Sequence, residues 1–443
     1  SGLYFALDSN FIGAKSAHDL HYVLLALGAR DGHVAWRHAL LKQSPADSSG
    51  ADYQPVYRDG VVYVSYFYDH ADDPQHTVRY GTVEALDATT GKLRWRQEVG
   101  ESIDFAGGLV VDGSSVYVSL SVAKAPGQRP EAASGLVVAL DIQTGVVRWR
   151  RPIEGTPSMA ASADGRVFVM AMHQSGGHLL ALNAADGSVV WDYTSDAPLS
   201  RGGDVENSRS NAPLITGDRV YIQATERNPD GGATLKLLAL NAGDGSVVWQ
   251  HQSEGIAATP AFNQSGDTLC LSASDSLNDA SAVFGLATSS GATRWSITGI
   301  QGSVSGCAAS GNTFYLAQRS IDQRTGSVFA LSGKDGRQLW KSTAGPAVAA
   351  DGLIAPVVGN GMIAVYLASP ASTNSHVMVT MAIFRVGDGR LLWRRDVSAR
   401  PARAPDIKGN LIFAPYAPGG LPGVTAYARD TGATLWSLAL GNL

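Results

Sequence analysis

Short runs of alternating apolar and polar residues recur along this chain, each closed by a turn of glycine, aspartate or asparagine. One unit reads as a strand from Phe105 to Val111, a turn at Asp112-Gly113 and a second strand from Val116 to Leu120. A third strand, Leu136 to Leu140, a turn at Thr144-Gly145 and a fourth strand, Val146 to Arg150, complete it. Short β-branched runs at regular spacing predict an all-β ring or barrel. One position marks every unit. Each of the nine tryptophans follows a glycine by four residues: Gly32/Trp36, Gly91/Trp95, Gly145/Trp149, Gly187/Trp191, Gly245/Trp249, Gly291/Trp295, Gly336/Trp340, Gly389/Trp393 and Gly432/Trp436. Successive tryptophans lie 42 to 59 residues apart, the length of a four-stranded antiparallel blade, and such a period predicts a β-propeller.

The tryptophan falls on the fourth, outermost strand, where an alternating position faces the neighbouring blade. A buried indole covers about 150–250 Å², which at about 25 cal/mol/Å² contributes at most about 4–6 kcal/mol per ring. Its N–H needs an acceptor, and a backbone carbonyl of the next blade is the natural one. Ten residues before each tryptophan stands a small residue (Ala26, Ala85, Ala139, Ala181, Ala239, Gly285, Ala330 and Ala426), which leaves room for the ring; Ile383 is the exception. Nine identical placements predict packing rather than a binding surface.

Composition narrows the rest. The repeat runs through all 443 residues without a shift in composition, which predicts a single domain, 1–443. Charged residues make up 16% and the net charge is −5, so the clustered basic charge of a nucleic-acid partner is missing. Cys270 and Cys307 fall on inner strands of consecutive repeats; two buried free thiols are the plainer reading, and a disulfide is geometrically conceivable. No apolar run approaches the roughly 18 residues that span a bilayer. No signal peptide is read. The chain opens at Ser1-Gly2-Leu3-Tyr4-Phe5 already as a strand, the expectation for a mature protein or an excised domain, with a membrane anchor outside this chain left open.

The stretches Ala85-Leu86-Asp87-Ala88-Thr89-Thr90-Gly91-Lys92-Leu93-Arg94-Trp95 and Ala139-Leu140-Asp141-Ile142-Gln143-Thr144-Gly145-Val146-Val147-Arg148-Trp149 resemble the tryptophan-docking motif of the pyrroloquinoline-quinone (PQQ)-like β-propeller repeat. The resemblance covers essentially the whole chain. It implies a closed propeller, for which eight blades are the family norm. The count here favours nine: repeat 1, about 1–41, lacks its innermost strand, and repeats 2–9, about 42–443, are complete. The resemblance also implies an extracytoplasmic, periplasmic or cell-surface, bacterial protein. The family includes quinoprotein alcohol dehydrogenases, an outer-membrane assembly scaffold and sensor ectodomains.

The turns divide by face. First-to-second and third-to-fourth turns are tight. Long excursions occur only between second and third strands or between blades, as at Ser9–Leu20, Lys42–Asp52, Tyr68–Arg79, Ala123–Ser134, Ser195–Ser210, Arg227–Thr234, Ser369–Ser375 and Pro418–Leu421. These share one face, the candidate binding face. At the start of the innermost strands, Gln54, Asp104, Ser158, Arg209, Asn211, Thr259, Ser305 and Arg403 are candidates to line an axial funnel suited to a small polar ligand; a plain water-filled channel is the alternative. In the loop Asp69-His70-Ala71-Asp72-Asp73-Pro74-Gln75-His76, the side chains Asp69, His70, Asp72, Asp73 and His76 could hold a divalent cation, although Pro74 fits an ordinary solvated turn. The loop Asp196 to Arg209, with Arg201, Asp204 and Glu206, reads as a self-paired surface or a ligand lid.

No Cys-Cys pair, haem-attachment motif, nucleophile elbow or zinc-protease motif is present. The expectation is a non-catalytic extracytoplasmic propeller without a cofactor, a sensor ectodomain or interaction scaffold binding a small polar ligand or a protein partner. The alternative is a PQQ-dependent quinoprotein dehydrogenase with calcium, for which Asp104 and Asn211 have suitable chemistry.

Overall fold

In a computed structural model the repeats fold as nine separate antiparallel sheets, and no helix occurs among the described residues. The structure describes residues 2–10, 21–40, 55–70, 78–122, 134–158, 160–173, 176–197, 199–200, 212–227, 233–254, 262–275, 280–319, 325–346, 355–368, 379–397, 404–414 and 423–439. In each sheet the strands neighbour one another in chain order, so the protein is a nine-bladed β-propeller. Blade 2 is typical, with strands Val56–Arg58, Val61–His70, Val78–Asp87 and Leu93–Glu101 from first to fourth. Among the described residues blade 1 has three, Leu3–Asn10, His21–Gly28 and Val34–Ala39. In blades 4, 5 and 7 the innermost strand is broken into two short pieces.

Each tryptophan docks on the next blade through its indole N–H. Trp36 donates to the carbonyl of Ala88 at 3.0 Å, Trp95 to Ile142 at 3.1 Å and Trp149 to Ala184 at 3.0 Å. Trp191 donates to Ala242 at 3.0 Å, Trp249 to Thr288 at 2.8 Å and Trp295 to Gly333 at 3.0 Å. Trp340 donates to Val386 at 3.0 Å and Trp393 to Arg429 at 2.7 Å. Eight of the nine indoles are buried, and Trp340 is partly exposed.

The ring lies flat on a glycine. Gly91 of blade 2 has φ +69°, and a Cβ there would stand 2.6 Å from Cδ2 of Trp36. Trp191 covers Gly245 in the same way, Trp249 covers Gly291, Trp340 covers Gly389 and Trp393 covers Gly432. The glycine of each Gly–Trp pair therefore serves the tryptophan of the preceding blade, not its own. Two requirements meet at that residue: a left-handed backbone that glycine alone adopts without strain, and bare space for an indole. The last blade closes on the first by the same contact. Trp436 bonds to Ala29 at 3.0 Å and covers Gly32, while Tyr4 stacks on Phe413 with ring centroids 4.3 Å apart.

Within a blade, register explains the small residue. Tyr63, Ala85 and Trp95 lie side by side on the second, third and fourth strands, facing the next blade, and an aromatic–alanine–tryptophan row recurs in six other blades. The exception at Ile383, beside Trp393, is an exchange of volume, because its second-strand neighbour is Ala364 where other blades carry a ring. In blade 6 the row is Cys270, Gly285 and Trp295. A Cβ on Gly285 would lie 2.0 Å from Cε2 of Trp295, so the indole has moved into the space.

Three expectations need correction. Cys270 and Cys307 are not free thiols: they form a disulfide between blades 6 and 7, with Cα atoms 6.2 Å apart. Cys270 occupies the aromatic position of its row, facing blade 7, and Cys307 sits where that blade's innermost strand is interrupted, so the bridge replaces the missing ring. Two tight turns, expected from the sequence at Asp112-Gly113 and Gly359-Asn360, shift by one residue. Asp112 pairs with Ser115, which leaves Gly113-Ser114 as the turn, and Gly359 pairs with Met362, which leaves Asn360-Gly361. In each, the backbone must take positive φ, and the glycine sits where that is needed. Val146, expected in a strand, precedes Val147–Glu154 and is 61% exposed.

Gly91→Ala should combine backbone strain of about 1–2 kcal/mol with overpacking of about 1–3 kcal/mol. Gly113→Ala, where a Cβ meets nothing within 4 Å, should incur only the strain. Thermal unfolding should therefore place Gly91→Ala about 1–3 °C below Gly113→Ala, and equal midpoints would refute the double role of the docking glycine. Reducing the disulfide, whose cysteines are 37 residues apart, should cost about 3–4 kcal/mol. Dithiothreitol should lower the unfolding midpoint of the native chain and leave a Cys270→Ser/Cys307→Ser double variant unchanged.

Candidate functional site

The strand directions place all first-to-second and third-to-fourth turns on one face of the ring. Aspartates brace this face. Asp87 accepts the backbone N–H groups of Thr89 and Thr90 and an N–H of Arg94 at 2.7 Å; Asp141 does the same with Gln143, Thr144 and Arg148. The arginine, then the threonine contacts, hold both carboxyls down to about 2.

The opposite face carries the second-to-third and between-blade connections. Three between-blade connections are single residues with positive φ, Ser102, Gly155 and Gly302. The long excursions predicted from the sequence fall largely outside the described residues. Of the funnel candidates, Gln54, Arg209, Asn211, Thr259 and Arg403 lie outside them too, and Asp104 lies on the innermost strand of blade 3. Ser158 and Ser305 occupy equivalent breaks in the innermost strands of blades 4 and 7, and both are buried. The hydroxyl of Ser158 accepts the N–H of Met170 at 3.1 Å, and that of Ser305 accepts the N–H of Ala317 at 2.9 Å, which ties each broken strand to its neighbour. Of the metal candidates, Asp69 and His70 end the second strand of blade 2; Asp72, Asp73 and His76 lie outside the described residues, as does the 201–211 stretch of the second polar loop. Among the described residues no three His, Cys, Asp or Glu side chains group closely enough to hold a metal ion.

The nine tryptophans line no site. Trp36, Trp95, Trp149, Trp191, Trp249, Trp295, Trp340, Trp393 and Trp436 each spend the indole N–H on the following blade, which leaves the seams rather than the faces as their place in the ring.

One buried polar hub escaped the sequence reading. Glu84, on the third strand of blade 2, is fully buried. It accepts hydrogen bonds from Tyr66 at 2.5 Å and from Arg96 at 2.6 Å, and its second oxygen lies 2.6 Å from Nε2 of His38 in blade 1. Burial pushes this carboxyl up, but the contacts with His38, Tyr66 and Arg96 outweigh it and hold the group below its ordinary value. His38 stands two residues after its docking tryptophan. From the same position Arg151 and Arg395 reach the docking-glycine carbonyls of the following blades, Gly187 at 2.8 Å and Gly432 at 2.9 Å. The hub is thus a charged version of a latch used elsewhere. The legible signal was a lone carboxylate in a column that holds Val138, Leu180 and Leu238 in the next three repeats. Nearby, Tyr68 donates to Glu98, and burial followed by that carboxylate pushes the phenol up to about 12.

On the tight-turn face a cleft of about 210 Å³ opens between blades 4 and 5. Phe168 and Ile215 form apolar walls, and Asp164, Arg166, Asp218 and Asn241 supply polar groups. Ala163 stands at its rim. It ends the innermost strand of blade 4, where the matching residue of blade 2 is Arg58, whose guanidinium reaches the carbonyl of Val111 in blade 3 at 2.6 Å.

The family described as outer membrane protein assembly factor BamB matches residues 79–277 and 279–442. The outer membrane protein assembly factor BamB of Yersinia pestis is 27% identical over 200 residues, 43% of this chain and 44% of that one, so the match spans less than half of that relative's length. A polyvinylalcohol dehydrogenase of a Pseudomonas species is 28% identical over 201 residues, 40% of this chain and 29% of its own. Among solved structures, the computationally designed Ika8 protein superposes with a TM-score of 0.51 at 14% identity, covering 87% of this chain and 95% of that one, a likeness of fold alone.

Removing one partner of a buried ion cluster costs about 3–5 kcal/mol, and Glu84→Gln should destabilise the protein at pH 7 by about that much. The carboxyl's folded-state value lies below its ordinary 4.5, so its stabilisation is complete above about pH 4.5 and fades as pH falls through the folded value. Denaturant unfolding of native and variant chains between pH 7 and pH 3 should show the gap narrowing only below pH 4.5. A constant gap would mean that the charge of Glu84 is immaterial.

Proposed function

The chain belongs to the outer membrane protein assembly factor BamB family, and from that premise we propose that it is a non-catalytic interaction scaffold outside the cytoplasm of a bacterium. Its partners are proteins of the outer-membrane assembly route, held on the face that carries the long loops. Family membership carries this reading and favours the scaffold over a sensor ectodomain. The disulfide between blades 6 and 7 supports an oxidising compartment. A ring in which every blade is clamped to the next supports a rigid platform rather than a moving active site.

The dehydrogenase relative motivates a second reading, a quinoprotein oxidoreductase. The described residues fit that cofactor poorly. The two cysteines are joined across blades instead of adjacent in sequence, and every indole N–H is engaged by the following blade.

Thermal unfolding separates the two. A ligand that binds only the native state at 100 times its dissociation constant adds about 2.7 kcal/mol. PQQ with calcium should leave the midpoint unchanged; a saturable upward shift requiring both would overturn the scaffold reading. In living cells, a photo-crosslinking residue at position 72 or 204 should trap discrete envelope proteins, whereas one at position 387, in a tight turn of blade 8, should not. Equal trapping at all three positions would remove the long-loop face from the proposal.

A further inference from the structure

Among the described residues, five seams carry a side-chain latch two residues after the docking tryptophan. His38 bonds to Glu84, while Arg151, Ser342 and Arg395 donate to the docking-glycine carbonyl of the following blade, Ser342 to Gly389 at 2.5 Å. In blade 5 the latch is His251, which bonds to the backbone of Gly291 in blade 6. Its Nε2 is buried and has no partner, so Nδ1 makes that bond, as a donor to the carbonyl.

The surroundings of this ring suit a neutral imidazole. Leu237 stands beside it on the third strand and separates it from Gln223, whose buried amide also lacks a partner. Phe284 of blade 6 packs against it, with ring centroids 5.5 Å apart. The described charged groups of the two blades are committed elsewhere: Arg219 to Asp218 at 2.5 Å, Lys236 to Glu226 at 2.5 Å, Arg294 to Asp267 at 2.6 Å and Asp244 to Ser246 at 2.6 Å. Two other latches meet a carboxylate. His38 has Glu84, and Arg151 is attracted by Asp186, directly before Gly187. The five residues ending at the docking glycine include an aspartate in every blade except blade 6, where they are Ala287-Thr288-Ser289-Ser290-Gly291. The latch with a titratable ring thus docks on the one turn that offers no counter-ion.

We propose that the seam between blades 5 and 6 is an acid-released latch: a proton taken up by Nε2 of His251 places a charge between blades that offer it no counter-ion, and the ring loosens there first. A buried charge without a partner is far costlier than a buried neutral group. Burial already holds this imidazole below its ordinary 6.5. The closed seam is therefore fully favoured above about pH 6.5 and loses stability as pH falls below that value. Glu84 responds only below about pH 4.5, so the two seams answer to different ranges. On its other side blade 6 is tied to blade 7 by Cys270 and Cys307, which confines the loosening to the blade 5 side. The latch requires only the closed ring, so its failure would leave the scaffold reading untouched.

Hydrogen exchange of the full chain at pH 7.5 and pH 5.0, followed by mass spectrometry and corrected for the intrinsic pH dependence of exchange, tests it. Peptides over Val247–Glu254 and Thr268–Asp275 should lose about tenfold in protection at pH 5.0, while those over Leu93–Glu101 and Thr313–Arg319 hold theirs within about twofold. His251→Asn, which keeps a donor in place of Nδ1 and cannot take up the proton, should abolish the acid-induced loss. Ser290→Asp, at an exposed position, supplies the missing carboxylate and should cut the loss to about threefold or less. No loss in the native chain, an equal loss in all four peptides, or an undiminished loss in His251→Asn would overturn the proposal. Should His251→Asn fail to fold, Ser290→Asp decides, and an undiminished loss there has the same consequence.

Discussion

An indole N–H handed to the carbonyl of the next blade, with the ring seated on that blade's glycine, is the contact on which the remainder of this protein depends. A single four-stranded sheet cannot bury both of its faces. Each blade gains a cover from its successor, and the tryptophan makes that cover directional: a ring that must meet one acceptor and one bare Cα has one position. Repeated nine times, the contact sets blade spacing and ring closure together. Blade 9 closes on blade 1 through Trp436 and Ala29 at 3.0 Å.

Around that fixed contact the interior tolerates exchange of volume but not loss of it. Most blades pair a second-strand ring with a third-strand alanine; blade 8 inverts the two as Ala364 and Ile383 and still seats Trp393 on Gly432. Blade 6 gives up the ring, lets Trp295 close over Gly285, and bonds Cys270 covalently to blade 7. The seam between blades 1 and 2 departs differently, with the buried Glu84 gathering His38, Tyr66 and Arg96 where the next three repeats hold Val138, Leu180 and Leu238. A carboxylate is stable there because three hydrogen-bonding partners compensate its lost hydration.

The two faces divide the work. Tight turns braced by aspartates keep one face short, and the second-to-third and between-blade connections lie on the other. Family membership places the chain beside an assembly factor, and its individuality lies where it breaks its own repeat: a disulfide in one seam, an ionic hub in another, and a cleft between blades 4 and 5.

The fold was legible in the sequence because its cause is local and repeated. Gly32 through Trp436 announce nine units, and the small residue opposite every indole but Trp393 predicts the packing row. What sequence could not assign was partnership across the ring. The glycine four residues before a tryptophan belongs to a different tryptophan: Gly245 stands before Trp249 in the chain and beneath Trp191 in space. Cys270 meets Cys307 only because the second strand of one blade faces the broken innermost strand of the next, and Ser158 and Ser305, read as funnel candidates, are tied to the second strand at a break invisible in the chain. The cleft beside Ala163 is lined by residues of two blades and exists only once the neighbouring blade is in place. Periodicity fixes what each repeat must be, while contacts between repeats, which depend on geometry rather than sequence distance, decide which residues are left to do something else.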